Sequence, residues 1–428
     1  MKKILALVVC LVSLYGEIIA MKNQPDKYDI FSFFKDVQSV FEVVREEYDS
    51  APCAMTSVIT AGGLTYLVVG FDNGDLVLCR PDGSDWRIMN YGGKKIKSLS
   101  AITTSQGQTY IVARAVRDAG QFINVWKLDG ELIDSFDCND HTHSLVCIET
   151  KFSFEQEWPE EGNVHTPEVV VGSRWGTCIY AFSGVLEDKA EYVDYINYSG
   201  FIESADYASS HMTALATRHG DTFIITADYA SDVIRVQRFD GYHDLEVKKV
   251  VELNYPSASL LGLHAFNSDD GNAYLIAVGR KGAITKWNLD AVIKWNLRDG
   301  ALKTIQLPHH KRIRKFSFNE VAVDNVSGRF DAFLISFDDE IGFVCFDDNV
   351  SVFMENHELV MIKEMYPNAE CWSVHMFTTP QGETFAALGI VKNPAETRRS
   401  TLIIKRVFFT HDCVEQISIN QLNEFINS

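Results

Sequence analysis

The chain has 428 residues and a formal charge of −19, from 39 Lys and Arg against 58 Asp and Glu. A surface that acidic repels phosphate backbones, which excludes nucleic acid as a partner for the molecule as a whole. With 46% hydrophobic and 23% charged residues, 27 Phe, 16 Tyr and only 10 Pro, the chain can bury a full core, and its length suits two or three ordinary domains or one large repeat domain.

Residues 1–20 have the layout of a secretory signal peptide. Lys2 and Lys3 precede an apolar run from Ile4 to Tyr15, and small residues follow at Gly16 and Ala20. The run is shorter than the roughly 20 apolar residues of a membrane span, and Glu17 interrupts it. The expectation is an exported protein, periplasmic or secreted, with no membrane span once the leader is removed. The alternative is translation from Met21 and a cytoplasmic protein. Removing Cys10 with the leader leaves eight of the nine cysteines, none in a Cys-x-x-Cys pair. In an oxidising compartment Cys138–Cys147 and Cys371–Cys413 are conceivable bridges; the other reading is free buried thiols.

Residues 21–50 are expected to form an amphipathic helix and linker. Ile30, Phe33, Phe34, Val37, Val40, Phe41 and Val44 follow helical spacing over about 29–46, with Val40 to Arg45 as a strand in the alternative. From residue 51 a repeat begins. Seven short runs share one frame: TYLVV from Thr65, TYIVA from Thr109, PEVVV from Pro167, TFIIT from Thr222, AYLIA from Ala273, AFLIS from Ala332 and TFAAL from Thr384. The second position is aromatic in six of the seven, Glu168 being the exception, and the intervals between these positions are 44, 58, 55, 51, 59 and 52 residues. Gly63, Gly107, Gly220, Gly271 and Gly382 each lie three residues before the aromatic, where a tight hairpin calls for positive φ.

An apolar run precedes each turn, as at Leu99 to Thr103, and a third follows each frame: Leu76 to Cys79, Phe122 to Trp126, Cys178 to Phe182, Val233 to Phe239, Ile293 to Leu297, Phe343 to Phe346 and Leu402 to Val407. Asp82-Gly83, Asp129-Gly130, Asp240-Gly241 and Asp299-Gly300 then turn four of the units toward a fourth run. A lone four-stranded meander leaves two open edges and buries one face at most. Seven of them stacked around an axis bury both faces of each, and seven equivalent units exceed what a two-sheet sandwich holds. The expected architecture is all-β, a seven-bladed β-propeller over residues 51–419 with a short N-terminal helix and a tail at 420–428. The last blade needs a further strand, either Val414 to Ile419 or Val40 to Arg45.

The segments Gly70 to Gly83, Ile123 to Gly130 and Val292 to Gly300 carry a resemblance to the WD-repeat propeller family. Trp126-Lys127, Trp287-Asn288 and Trp295-Asn296 stand where the family has Trp-Asp. The opening Gly-His is replaced by Asp140-His141 and Pro308-His309. The units are also longer than the ~40–45 residues of that family. The doubled Lys-Trp-Asn-Leu at 286–289 and 294–297 leaves the register of the fifth unit open.

Asp72-Asn73-Gly74-Asp75 resembles part of a calcium loop, but a tight turn accounts for it with too few oxygen ligands for the metal. His141 and His143 could begin a zinc site, yet no third ligand is near in sequence. His309 to Lys315 is the one dense basic run. In a propeller it falls between blades, on the face of the turns that join second and third strands, together with Arg174-Trp175, Tyr229, Arg280-Lys281 and Arg398-Arg399. Tyr198 and Tyr207 are the loop members of a Tyr-rich stretch suited to a binding surface. No nucleophile elbow, zinc-protease motif or phosphate-binding loop occurs. The expected function is a binding scaffold, a monomer without cofactor. Its expected contact residues are Arg174, Trp175, Tyr198, Tyr207, Lys311, Arg312 and Arg314, and its partner a protein, an acidic peptide or a glycan. The alternative is a hydrolase or lyase for a small molecule or carbohydrate at the channel mouth.

Overall fold

The computed structural model describes residues 40–407 except 91–94, 118–119, 139–141, 154–162, 174–175, 182–210, 219, 228–232, 240–247, 256–258, 269–270, 296–300, 307–311, 323–328, 337–339, 347–361, 366–368 and 393–398. Glu42–Ser428 fall in one compact unit, entered by strand β1 (Val40–Tyr48).

Seven antiparallel sheets follow one another along the chain. The first holds β2 (Pro52–Ile59), β3 (Thr65–Phe71), β4 (Asp75–Cys79) and β5 (Arg87–Asn90). The second holds β6 (Lys95–Thr103), β7 (Thr109–Arg117), β8 (Gly120–Lys127) and β9 (Leu132–Cys138). In the third, β10 (Thr142–Ser153), β11 (Asn163–Ser173) and β12 (Gly176–Ala181) are described. The fourth is β13 (His211–Ala216), β14 (Thr222–Ala227), β15 (Val233–Phe239) and β16 (Lys248–Asn254). The fifth is β17 (Leu260–Asn267), β18 (Ala273–Gly279), β19 (Ala283–Asn288) and β20 (Ala301–Gln306), with α1 (Leu289–Trp295) between its last two strands. The sixth is β21 (Lys315–Ala322), β22 (Arg329–Ser336), β23 (Glu340–Phe346) and β24 (Ile362–Met365). The seventh is β25 (Ala369–Thr378), β26 (Thr384–Lys392) and β27 (Ser400–Val407), with β1 on its outer side.

All seven frame runs fall in second strands, β3, β7, β11, β14, β18, β22 and β26. The five glycines three residues before the aromatic all adopt positive φ, between 75° and 92°. Each closes the same turn: Gly63 N–H donates to Thr60 O at 2.9 Å while Thr60 N–H donates to Leu64 O at 2.8 Å, and the pattern repeats at Thr104, Thr217, Ser268 and Thr379. The six frame aromatics Tyr66, Tyr110, Phe223, Tyr274, Phe333 and Phe385 are all buried.

Every residue of β3, β14 and β18 is buried, whereas most of β2, β6 and β17 and half of β13 is only half-buried. That contrast arises because second strands are covered on both faces and first strands line an interior channel. The period of two along β3 shows the covering. Leu67, Val69 and Phe71 pack with Phe377, Phe385, Leu402 and Ile404 of the seventh sheet; Val68, with Leu76 and Leu78, packs with Ile96, Ile111 and Ala113 of the second. Further clusters join the second sheet to the third, the third to the fourth, the fourth to the fifth and the fifth to the sixth. Between sixth and seventh, Met376 N–H donates to Ser317 Oγ at 2.9 Å. Between seventh and first, Ser373 Oγ donates to Pro52 O at 2.9 Å.

Four sequence expectations are corrected or resolved. The helix expected over 29–46 is strand β1 from Val40 onward, and residues before 40 lie outside those described. Strand wins because the edge of β27 offers a hydrogen-bonding ladder that helical spacing ignores. Tyr48 at its end packs on Phe71 and Trp86, ring centroids 4.5 and 6.4 Å away. Val40 to Arg45 is therefore the added strand of the last sheet, and Val414 to Ile419 lies outside the described residues. The third run of the fifth unit is not Ile293 to Leu297 but β19, and most of the expected run is helix α1. Asn288 caps that helix, its Oδ1 accepting the Ala291 N–H at 2.9 Å. Asp290 sits in its first turn and Lys294 in its last, and Leu289 and Val292 bury one face. Finally, Cys147 and Cys371, the members of the two conceivable bridges whose side chains are described, are free thiols.

Candidate functional site

In five sheets the first strand slips by one residue against the second. The slips fall at Pro52/Ala54, Ile96/Ser98, Thr142/Ser144, Leu260/Gly262 and Cys371/Ser373. All sit at one level of the fold, opposite Gly70, Arg114, Gly172, Val278 and Gly389, the sixth residue counted from the start of each frame run. The residues squeezed out of register are Cys53, Lys97, His143, Leu261 and Trp372. A bulge frees a side chain from the pleat and re-aims it. Here the bulges ring the end of the channel where second strands turn into third strands, as at Gly74 and Gly282.

The chemistry gathered at this mouth is cationic. Lys95 and Lys97 begin β6, Arg114 sits on β7, and Lys315 begins β21. Lys97 lies below the ordinary lysine range, because partial burial penalises its charge and Lys95, Arg114 and Lys315 repel it. Burial raises the Cys53 thiol above its usual range, against the pull of Lys95, Lys97 and Lys315. The thiol stays neutral, donates to Ala51 O at 3.4 Å, and does not neutralise the lysines. Arg114 is buried and held by Ser98 Oγ and Gln121 Oε1, both at 3.0 Å. Lys95 Nζ stands 5.3 Å from the centre of the Trp372 ring, and the Trp372 indole N–H donates to Glu370 Oε2 at 3.3 Å. Burial pushes the Cys371 thiol up to about 12.

The opposite end of the first strands is knitted between sheets. Thr103 Oγ1 donates to Ile59 O at 2.6 Å, Asn267 Nδ2 to Ala216 O at 2.8 Å, and Arg218 to Ser268 O at 2.8 Å. Glu149 accepts from the Ser105 N–H and hydroxyl at 2.9–3.0 Å. Charges there are paired, as in Arg238 with Asp221 at 3.4 Å.

Two histidines lie in the channel wall. His375 Nε2 and Ser57 Oγ are 2.9 Å apart across the seam of seventh and first sheets, and the His264 ring is 5.1 Å from Phe318. Burial pushes both imidazoles down to about 4, and His264 adds repulsion at His375. Between the unfolded value near 6.5 and about 4 the unfolded chain binds protons that the folded chain refuses, so stability falls as pH drops through that window. The urea midpoint is expected to decline from pH 7 to pH 4.5, and His264→Gln with His375→Gln to flatten the decline.

Of the residues read from the sequence as contacts, Arg312 and Arg314 are described. They are exposed on either side of fully buried Ile313. Ile313 N–H donates to Arg280 O at 3.1 Å and Arg314 N–H to Ser336 O at 2.8 Å, so this segment runs beside the Arg280-Lys281-Gly282 turn, on the mouth side. Arg174, Trp175, Tyr198, Tyr207 and Lys311 lie outside the described residues, as do Tyr229, Arg398 and His141. The Asp72 turn is held from within: Asp72 Oδ1 accepts the Ala51 N–H at 2.8 Å and Asn73 Oδ1 the Asp75 N–H at 3.0 Å. Among the described residues no group of three or more His, Cys, Asp or Glu is placed to hold a metal, and no helix is long and apolar enough to cross a membrane. Sequence reading missed Cys53, Lys95, Lys97 and Trp372. A signal existed, since Cys53, Lys97, Leu261 and Trp372 each stand 13 residues before the frame aromatic of their unit.

No protein-family model and no curated protein matches the chain. Solved structures do. One is BBS1N in a crystal structure of its complex with ARL6DN soaked with mercury. It has TM-score 0.51 and 12% identity, over 86% of this chain and 97% of that one. The same complex soaked with lead gives TM-score 0.52 and 11% identity, over 86% and 97%. The β-propeller domain of Myceliophteria thermophila Cps50 (Swd1) gives TM-score 0.51 and 14% identity, over 85% of this chain and 99% of that one. At such identities the likeness speaks for architecture alone: the chain is an all-β protein with the β-propeller fold, carrying one short helix among its described residues.

Proposed function

We propose that the seven sheets are the blades of one closed propeller that acts as an exported protein-binding scaffold. The observation that carries this reading is the convergence of Lys95, Lys97, Lys315 and Trp372, from three different sheets, on one end of the channel. Arg312 and Arg314 extend that face outward. Arg174, Trp175, Tyr198, Tyr207 and Lys311 belong to the same proposed surface by their place in the repeat. The fold is one that proteins use for assembly, and BBS1N, a propeller similar in structure, is described in complex with ARL6DN. The partner is taken to be a protein, bound by a monomeric propeller without cofactor. Export rests on residues 1–20.

Cross-linking capture with the full chain, made in its own cell, tests the reading. The variant Lys311→Glu/Arg312→Glu/Arg314→Glu is expected to lose partners that the parent protein retains. An unchanged partner set overturns the proposed face. Cell fractionation is expected to find the mature protein, beginning at Met21, in the exported fraction, and a product confined to the cytoplasm overturns export.

A further inference from the structure

Four consecutive sheets of the ring, the sixth, seventh, first and second, contribute to one arc of the mouth. Lys315 opens the sixth, Trp372 bulges from the seventh, Cys53 from the first and Lys97 from the second, with Lys95 beside it. The two flanks of the arc are cationic and its middle is aromatic and neutral. This is unusual in a chain of formal charge −19. Like charges gathered at one site repel, and the effect is visible at Lys97, which Lys95, Arg114 and Lys315 all disfavour. Of the nearby carboxylates, Asp72 accepts the Ala51 N–H and Glu370 the Trp372 indole N–H. An anion arriving from outside would relieve the repulsion.

We propose that this arc binds an acidic polypeptide segment, its carboxylates against Lys95, Lys97 and Lys315 and an apolar side chain on the Trp372 ring. The proposal rests on the scaffold reading and names the chemistry of its partner. Three features favour a peptide. The cations are spread over separate sheets, so a chain with several carboxylates engages them together better than a single small anion does. Trp372 offers apolar area beside the charges, which an acidic peptide can use through its side chains and stems. The bulges break the regular edge of the first strands, so that backbone groups there are turned out of the ladder and can meet peptide groups. A long polyanion is disfavoured by the negative field of the rest of the molecule.

The test uses the full chain with a fluorescein-labelled hexaglutamate peptide, read by anisotropy, against hexalysine, citrate and a heparin-derived hexasaccharide. Hexaglutamate is expected to bind, and to weaken as salt is raised because the contact is between exposed charges. Lys97→Glu/Lys315→Glu is expected to weaken it at least about tenfold. Arg238→Glu, at the opposite end of the fold, is expected to leave it unchanged. If the double Glu variant loses its folded circular dichroism, Lys97→Gln/Lys315→Gln is read instead, with a smaller loss expected in the same direction. No binding by the parent protein, equal binding by the lysine variants, or preference for citrate or the hexasaccharide overturns the proposal. The two readings fail separately. Captured protein partners that depend on Lys97 and Lys315 without hexaglutamate binding leave the scaffold and remove the acidic ligand. Peptide binding without captured partners does the reverse.

Discussion

Gly389→Ala is expected to destabilise the protein by about 2–4 kcal/mol, the sum of overpacking and a strained hydrogen bond. A Cβ at this position would lie 2.4 Å from Pro52 Cγ and 2.4 Å from Ser373 Oγ. Neither neighbour can step aside. Pro52 is a rigid ring at the start of β2, and the preceding Ala51 is clamped by Asp72, which exchanges two hydrogen bonds with it at 2.8 and 2.9 Å. Ser373 is committed to Pro52 O. The added methyl must therefore force seventh and first sheets apart. Ser373→Ala alone removes only the hydrogen bond and is expected to cost about 1 kcal/mol. Urea denaturation of both variants measures the difference, and equal stability of Gly389→Ala and the parent would mean that the seam is loose.

Trp287→Ala is expected to cost about 3–5 kcal/mol, the usual range for emptying a large aromatic site. Trp287 is the largest fully buried side chain of the described residues. It lies in the cluster that joins fourth and fifth sheets, with the Tyr255 ring 6.4 Å away. Tyr255 is itself fixed by donating its hydroxyl to Ala283 O at 2.9 Å, so the cavity walls cannot collapse inward. Trp287→Phe is expected to cost less. The indole N–H has no hydrogen-bond partner among the described residues, and removing a buried unpaired donor offsets part of the lost packing. A Phe variant as unstable as the Ala variant would show that the N–H is satisfied after all.

The repeat was legible because it is written in turn chemistry and alternation. The five turn glycines, the buried frame aromatics and the second strands all follow from residues at fixed offsets. Trp287 and Trp295 show where that legibility ends. Both sit in the same Lys-Trp-Asn-Leu, yet one is fully buried and the other is 65% exposed. The difference comes from Asn288, whose side chain caps a helix after the first copy, and from Asp290 Oδ2, which accepts the Ala273 N–H at 2.7 Å. Neither interaction has a period that a repeat search detects. β1 was misread for a related reason: Val40 and Val44 fit a helical stripe, and only the distant edge of β27 decides for a strand. The mouth was hidden by the bulges. A one-residue slip leaves composition and alternation almost unchanged, so Lys97 and Trp372 read as ordinary strand residues until first and second strands are set side by side.

The last sheet joins strands that lie far apart in the sequence, β1 at Val40–Tyr48 and β27 at Ser400–Val407, so β1 is made well before its mate. At ~5–20 residues per second of synthesis the two emerge on the order of 20 to 70 s apart. For that whole interval β1 has no mate, and the growing polypeptide must be kept from pairing it with a stranger.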